Sequence, residues 1–152
     1  MEFQKSFQAP FGPMMLYTDE KVVQGIDLFP APSNIISDSS DILCQLEQQL
    51  NDYFFDENTK WALPLARKGT DFQQRVWRYM RAIPVGETRS YGEVAKALNS
   101  SAQAVGNACR ANHFPIVIPC HRIVSKSGLG GFAGETSGNR INVKQWLLDH
   151  ER

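Results

Sequence analysis

The stretch SYGEVAKALNSSAQAVGNACRANHFPIVIPCHR, residues 90–122, decides how this chain is to be read. It opens with Ser90-Tyr91-Gly92-Glu93, which has the capping-box form that starts a helix, ahead of Val94, Ala95 and Leu98. Asn99-Ser100 breaks that helix, and Ser101 can cap another from Ala102 to about Ala111. Ala104, Gly106 and Ala108 on the later helix are small enough to let another backbone approach closely. Two short helices joined by a polar break have the outline of a helix-turn-helix. The stretch then ends on Cys120 and His121, placed directly after Pro119 within the otherwise apolar Val117–Val124. Two titratable side chains are costly there unless they have partners, so this dipeptide is the first candidate for chemistry.

Working outward, Thr70-Asp71-Phe72-Gln73 repeats the capping-box form. It leads into a stripe of Phe72, Val76, Tyr79, Met80 and Ile83 that Pro84 and Gly86 terminate. A glycine-rich loop, Gly128 to Gly138, follows the Cys-His string. A last helix is expected from about Arg140 to Glu151, with Val143, Trp146, Leu147 and His150 on one side. Toward the N-terminus, Met14–Thr18, a polar Asp19-Glu20-Lys21 turn and Val22–Phe29 predict a hairpin. Pro30-Ala31-Pro32-Ser33 breaks the pattern, and Ile42, Leu43, Leu46, Leu50 and Phe54 predict an amphipathic helix over about residues 40–54. Asn58–Lys68, with Pro64 inside it, reads as a linker. The expected class is α+β, with a small α/β lobe over residues 1–66 and a mostly helical domain over 67–152.

Composition narrows the function. A 152-residue chain that is 42% hydrophobic can bury a core in one domain or in a domain plus a small lobe. Its apolar runs are too short to cross a bilayer, and Met1-Glu2-Phe3-Gln4-Lys5 is not followed by a secretion-type apolar segment. Cys44, Cys109 and Cys120 form neither a disulfide framework nor a four-cysteine zinc site, so a reduced, cytoplasmic protein without metal or cofactor is expected. The zero net charge conceals an asymmetry. Residues 1–66 carry three Lys/Arg against ten Asp/Glu (−7), whereas residues 67–126 carry ten against three (+7). A basic half on a neutral chain suits a polyanion such as nucleic acid.

Over roughly Gly69 to Arg152 the sequence resembles the O6-alkylguanine-DNA alkyltransferases, also called methylated-DNA–protein-cysteine methyltransferases. The blocks that carry the resemblance are Phe72-Gln73-Gln74-Arg75-Val76-Trp77, Ile83-Pro84-Val85-Gly86, Ser90-Tyr91-Gly92-Glu93-Val94-Ala95, Ala104-Val105-Gly106, Ile118-Pro119-Cys120-His121-Arg122 and Trp146-Leu147-Leu148 with His150-Glu151. It implies a ribonuclease-H-like first lobe and a second domain that binds double-stranded DNA as a monomer, through the minor groove. Cys120 is then the nucleophile that takes an alkyl group, once and irreversibly, from O6-alkylguanine and from O4-alkylthymine. His121 and Glu151 complete a Cys–water–His–Glu relay, and Asn112 braces the turn before the active-site strand. Adjacent side chains on extended backbone point to opposite faces, which disfavours a direct Cys120–His121 pair. Tyr91 displaces the 3′ phosphate while the base is extruded. Gln103, Ala104, Gly106 and Arg110 meet DNA, and Val124, Phe132, Ala133 and Gly134 wall the pocket. Two residues depart from the family pattern. Gln103 stands where an arginine usually fills the void left by the base, and Phe132 stands where a tyrosine is common.

Three other functions fit parts of the sequence. One is a damage-sensing DNA binder without chemistry, which the reactive Cys120 argues against. Another is a Cys-His hydrolase using His113 or His150, for which no oxyanion-hole motif is present. The third is a transcription regulator in which the thiol is structural.

Overall fold

The structure, a computed structural model, describes residues 2–31, 35–130 and 138–152, which form two compact units, residues 1–67 and 68–152. In the first unit, β1 (Phe3–Ala9), β2 (Gly12–Thr18) and β3 (Val23–Asp27) make an antiparallel meander in the order β1-β2-β3. The expected hairpin is β2–β3, and Asp19 fixes its turn by accepting hydrogen bonds from the Lys21 and Val22 amides at 2.7 and 2.8 Å. Helix α1 (Asp41–Phe55) is capped by the Ser40 hydroxyl and buries Ile42, Leu43, Leu46, Leu50 and Tyr53. Met14, Leu16 and Val23 supply the fully buried side chains of the sheet.

Both edges of this sheet are partly paired. Along β1, the Ser6 amide donates to the Ile36 carbonyl at 2.8 Å, and the Asp38 amide donates to the Gln4 carbonyl at 3.0 Å. Along β3, the Val23 amide donates to the Pro64 carbonyl at 2.7 Å, and the Ala66 amide donates to the Val23 carbonyl at 2.9 Å. Residues 64–66 are therefore not the free linker that their composition suggests. They finish the sheet, where an unpaired strand would leave backbone donors and acceptors open to another chain.

In the second unit, α2 (Asp71–Arg81) and α3 (Tyr91–Ala97) start with complete capping boxes, Thr70 with Gln73 and Ser90 with Glu93. Ser101 caps α4 (Ala102–Arg110). Helix α3 stops in a Schellman arrangement, with the Ser100 amide donating to Ala95 and Asn99 at φ 54°. The buried face of α2 is Val76, Trp77 and Met80, with Ile83 buried just beyond the helix. Trp77 replaces the expected Phe72 and Tyr79, because its indole Nε1–H donates to the Ala108 carbonyl of α4 at 2.8 Å. That carbonyl belongs to the last turn of α4, where helical partners run out.

This unit is not wholly helical. The two-residue strands β4 (Arg89–Ser90) and β5 (Ile123–Val124) pair in parallel, Arg89 with Ile123 and Ser90 with Val124. Cys120–Arg122 forms one turn of 3₁₀ helix rather than the extended backbone expected. The final helix, α5 (Asn139–His150), also differs from expectation. It buries Val143, Lys144, Leu147 and Leu148, while Trp146 and His150 lie half-buried and stack on each other at 5.0 Å. Among the described residues no helix is long and apolar enough to cross a membrane.

Replacing Trp77 with Phe keeps a six-membered aromatic ring but removes the pyrrole part with its donor, leaving the Ala108 carbonyl buried without its partner. The expected cost is about 1–3 kcal/mol. It should appear as a lower denaturant midpoint with an unchanged m-value.

Candidate active site and nucleic-acid interface

Pro119 ends the apolar run and sets the entry to the 3₁₀ turn, which places Cys120, His121 and Arg122 inside the second unit with all three buried. Glu151, the C-cap residue of α5, reaches the same place and is 4% exposed. Its Oε2 lies 2.8 Å from His121 Nε2. Arg122 donates to both of its oxygens, from Nε to Oε1 at 2.8 Å and from Nη2 to Oε2 at 3.0 Å. Arg122 Nη1 donates in turn to the Ile83 carbonyl at 2.7 Å. The carboxylate, the guanidinium and the imidazole thus satisfy one another, as charges removed from water must.

With Arg122 across both oxygens, Glu151 can only accept, so His121 carries its hydrogen on Nε2. Its Nδ1 is left as a lone pair, buried and without a hydrogen-bond partner among the described residues. Burial pushes the imidazole below its ordinary value of 6.5, and Glu151 opposes that shift without reversing it. The ring is therefore neutral at pH 7 and able to take a proton at Nδ1. No direct hydrogen bond between Cys120 and His121 is formed among the described residues. On a 3₁₀ turn successive side chains point about 120° apart, so the divergence expected of extended backbone is kept by a different geometry.

Burial also pushes the Cys120 thiol up. The Asn112 carboxamide, the Lys144 ammonium and the amides of Cys120 and His121 work the other way and favour the thiolate. Asn112 sits where the chain turns from α4 toward the site. It donates from Nδ2 to the Ile118 carbonyl at 2.8 Å and accepts from the Phe114 amide at 2.9 Å. Between those anchors Ile116 is buried at φ 76°, a conformation that strains a β-branched residue.

A groove of about 550 Å³ runs beside this region, lined by Ser90, Tyr91, Gly92, Ala102, Gln103, Gly106, Ser125 and Lys126. It brings together Tyr91, Gln103 and Gly106 from the sequence-predicted set. A Cβ built on Gly106 would meet nothing within 4 Å, so the α4 surface is open there. Tyr91, the first residue of α3, is half-buried, and its phenol is pushed up to about 12 by burial and by the charges of Cys109 and Cys120. Ala104 and Arg110 are on α4 but do not line the groove, and Arg110 is exposed. Val124 pairs with Ser90 in the β4–β5 ladder. Phe132, Ala133 and Gly134 lie outside the described residues.

Sequence reasoning assigned no role to Arg122, Ser125, Lys126 or Lys144. Lys144 gave no signal, since a lysine on an amphipathic helix reads as a surface residue. Cys44 is exposed on α1, and Cys109 is partly buried on α4. Among the described residues no group of three or more His, Cys, Asp or Glu side chains could hold a metal ion.

Known proteins match this chain in sequence and fold. The family described as 6-O-methylguanine DNA methyltransferase, DNA binding domain, matches residues 71–152. The constitutive methylated-DNA–protein-cysteine methyltransferase of Bacillus subtilis is 34% identical over the whole of this chain and 96% of its own length. The methylated-DNA–protein-cysteine methyltransferase of Mycobacterium leprae is 37% identical over 97% of this chain and 91% of its own length. The crystal structure of Mycobacterium tuberculosis OGT in complex with DNA superposes with a TM-score of 0.81 at 37% identity, covering 98% of this chain and 92% of that one. The second unit is thus a DNA-binding domain of the methyltransferase type. The chain belongs to the methylated-DNA–protein-cysteine methyltransferase family.

The depressed His121 imidazole links folding to pH. The unfolded chain takes up a proton below about 6.5 that the folded one refuses, so stability falls as pH drops through that value. Thermal unfolding from pH 7.5 to 5 should show this slope, and His121→Gln should flatten it. An identical slope in that variant assigns the proton uptake to another group.

Proposed function

We propose that this protein repairs DNA by direct reversal, moving an alkyl group from O6-alkylguanine, and from O4-alkylthymine, onto the sulfur of Cys120. The observation that carries this reading is a buried thiol beside a buried imidazole whose hydrogen-bonded nitrogen is held by Glu151 and whose other nitrogen is left open. His121 Nδ1 takes the thiol proton through a bridging water, and Arg122-paired Glu151 stabilises the imidazolium that forms. The thiolate attacks the alkyl carbon, the carbon–O6 bond breaks, and its electron pair stays on guanine. The guanine anion takes up a proton, the one held by His121 being returned through water, and regains its ordinary pairing edge. The thioether is stable, so each chain reacts once, and no cofactor takes part.

The substrate is double-stranded DNA, approached as a monomer from the minor groove, and the reaction belongs in the cytoplasm. Helices α3 and α4 act as a helix-turn-helix, and Ala104, Gly106 and Arg110 of α4 meet the duplex. Tyr91, held as a neutral phenol, presses on the 3′ phosphate during extrusion. Gln103 enters the vacated stack, and Val124 with Phe132, Ala133 and Gly134 encloses the extruded base. Asn112 braces the approach to the active-site turn. The first lobe, residues 1–66, is ribonuclease-H-like and acidic, and the binding and chemistry belong to residues 67–152. A damage sensor without chemistry is the reading to separate from this one.

Incubation with a duplex carrying labelled O6-methylguanine distinguishes them. Label should move to protein and stop at one per chain, with a mass gain on the peptide containing Cys120. Binding without transfer would identify a sensor, and continued turnover a hydrolase. Cys120→Ser should abolish transfer and keep DNA binding. Glu151→Gln should slow transfer by about 10²–10⁴-fold, the usual contribution of a positioned acid–base relay.

Gln103→Arg tests base extrusion separately, because a guanidinium can stack and carry charge where an amide cannot. It should speed repair of duplex DNA more than reaction with free alkylguanine base. An equal effect on both substrates removes Gln103 from the extrusion step.

A further inference from the structure

Among the described residues that line the groove beside the active site, Lys126 is the one charged side chain. It is exposed and forms no ion pair among the described residues. Its side chain lies across the start of α3, where a Cβ built on Gly92 would be 4.0 Å from Lys126 Cε. Gln103 lines the same groove from α4 and carries no charge. The only carboxylate of α3, Glu93, is engaged with Ser90 in the capping box.

The turn that carries Lys126 is built rather than loose. The Gly128 amide donates to the Ser125 carbonyl at 3.4 Å, and the Ser127 amide donates to Ser125 Oγ at 3.1 Å. Lys144 Nζ donates to a carbonyl on each side of the turn, Ile123 at 2.7 Å and Leu129. Just beyond, Gly130 sits at φ 73°, so close to Tyr91 that a Cβ there would be 2.9 Å from the ring. The base of the Lys126 side chain is therefore fixed relative to Tyr91 and α3, although its tip is free.

A phosphodiester that enters a groove with neutral walls gives up hydration and receives little in return. A cation at the rim offsets that loss, and an ammonium on a flexible stem meets a phosphate as a point charge without demanding one approach angle. We infer that Lys126 binds a backbone phosphate beside the extruded nucleotide, and that the Ser125–Gly128 turn keeps this contact in register with Tyr91. Lys126 touches neither the reacting sulfur nor the damaged base, so it is a positioning residue for the flanking backbone. The inference rests on the repair reading for the identity of its polyanion.

The first test is a salt series. Binding of a duplex containing O6-methylguanine is measured in Cys120→Ser protein, where no transfer occurs. Adding Lys126→Met should reduce the slope of log Kd against log salt by about one, and weaken binding by about fivefold to tenfold at about 0.1 M salt, the release of one counterion. Lys126 is exposed, so methionine there disturbs no core. Lys126→Arg should keep the slope. Lys21→Met removes the same charge from the β2–β3 turn of the first unit, and should leave the slope unchanged. A slope that Lys126→Met does not move, or that Lys21→Met moves equally, would overturn the inference.

The second test separates backbone from base. In protein that retains Cys120, Lys126→Met should slow transfer from duplex at subsaturating protein by about the same factor, and leave the reaction with free O6-methylguanine base unchanged. Equal slowing on the free base overturns the inference and places Lys126 in the base pocket. A wild-type chain that binds duplex but never transfers the alkyl group removes the repair reading alone, because the salt series still decides Lys126. Transfer by the wild type with an unmoved slope in Lys126→Met removes this inference alone.

Discussion

The Glu151 carboxylate is the constraint on which the second unit depends. It is withdrawn from water at the end of α5 and accepts from both nitrogens of an Arg122 fork and from His121. Removing one partner of such a buried pair typically costs about 3–5 kcal/mol, because the other charge is then left uncompensated. The cluster therefore ties the last helix, the 3₁₀ turn and, through the Ile83 carbonyl, the end of α2 into one arrangement. Gly86 makes that arrangement tighter. It sits at φ 84°, and a Cβ built there would lie 3.0 Å from the Glu151 carbonyl. The Ile83–Gly86 turn can approach Glu151 this closely because it ends on a residue without a side chain.

This geometry gives one dipeptide two different tasks. His121 is oriented by the cluster, whereas the Asn112 carboxamide and the Lys144 ammonium favour the Cys120 thiolate against its burial. Burial makes both groups prefer neutrality, the thiol with its proton and the imidazole without one. A proton moving from sulfur to Nδ1 therefore separates charge in a place that disfavours it. Glu151, hydrogen-bonded to the imidazole, opposes that penalty by favouring the imidazolium.

What the sequence disclosed follows from the range of each interaction. The capping boxes at Thr70 and Ser90 were legible because each is closed within four residues. The break at Asn99-Ser100 was legible for the same reason, and the structure resolves it as a Schellman turn. The contact of Glu151 with His121 joins residues thirty positions apart, and only a resemblance to known proteins implied it. Strands of two residues, such as β4 and β5, carry no alternation to detect. Residues 64–66 looked like linker because Pro64 argues against a strand, yet it is only the proline carbonyl that pairs. The buried face of α5 was misjudged around Lys144, since no local pattern tells a lysine that reaches buried carbonyls from one that reaches solvent.

The 8% exposure of Cys120 has a consequence for selectivity. A sulfur that gives up its proton reluctantly and shows little of itself to bulk solvent is a poor target for peroxides, metals and stray electrophiles. Such a group discriminates by admission rather than by appetite. Whatever is to react must reach it correctly oriented. If each chain reacts once, its nucleophile can in this way remain unspent through all the encounters that do not count.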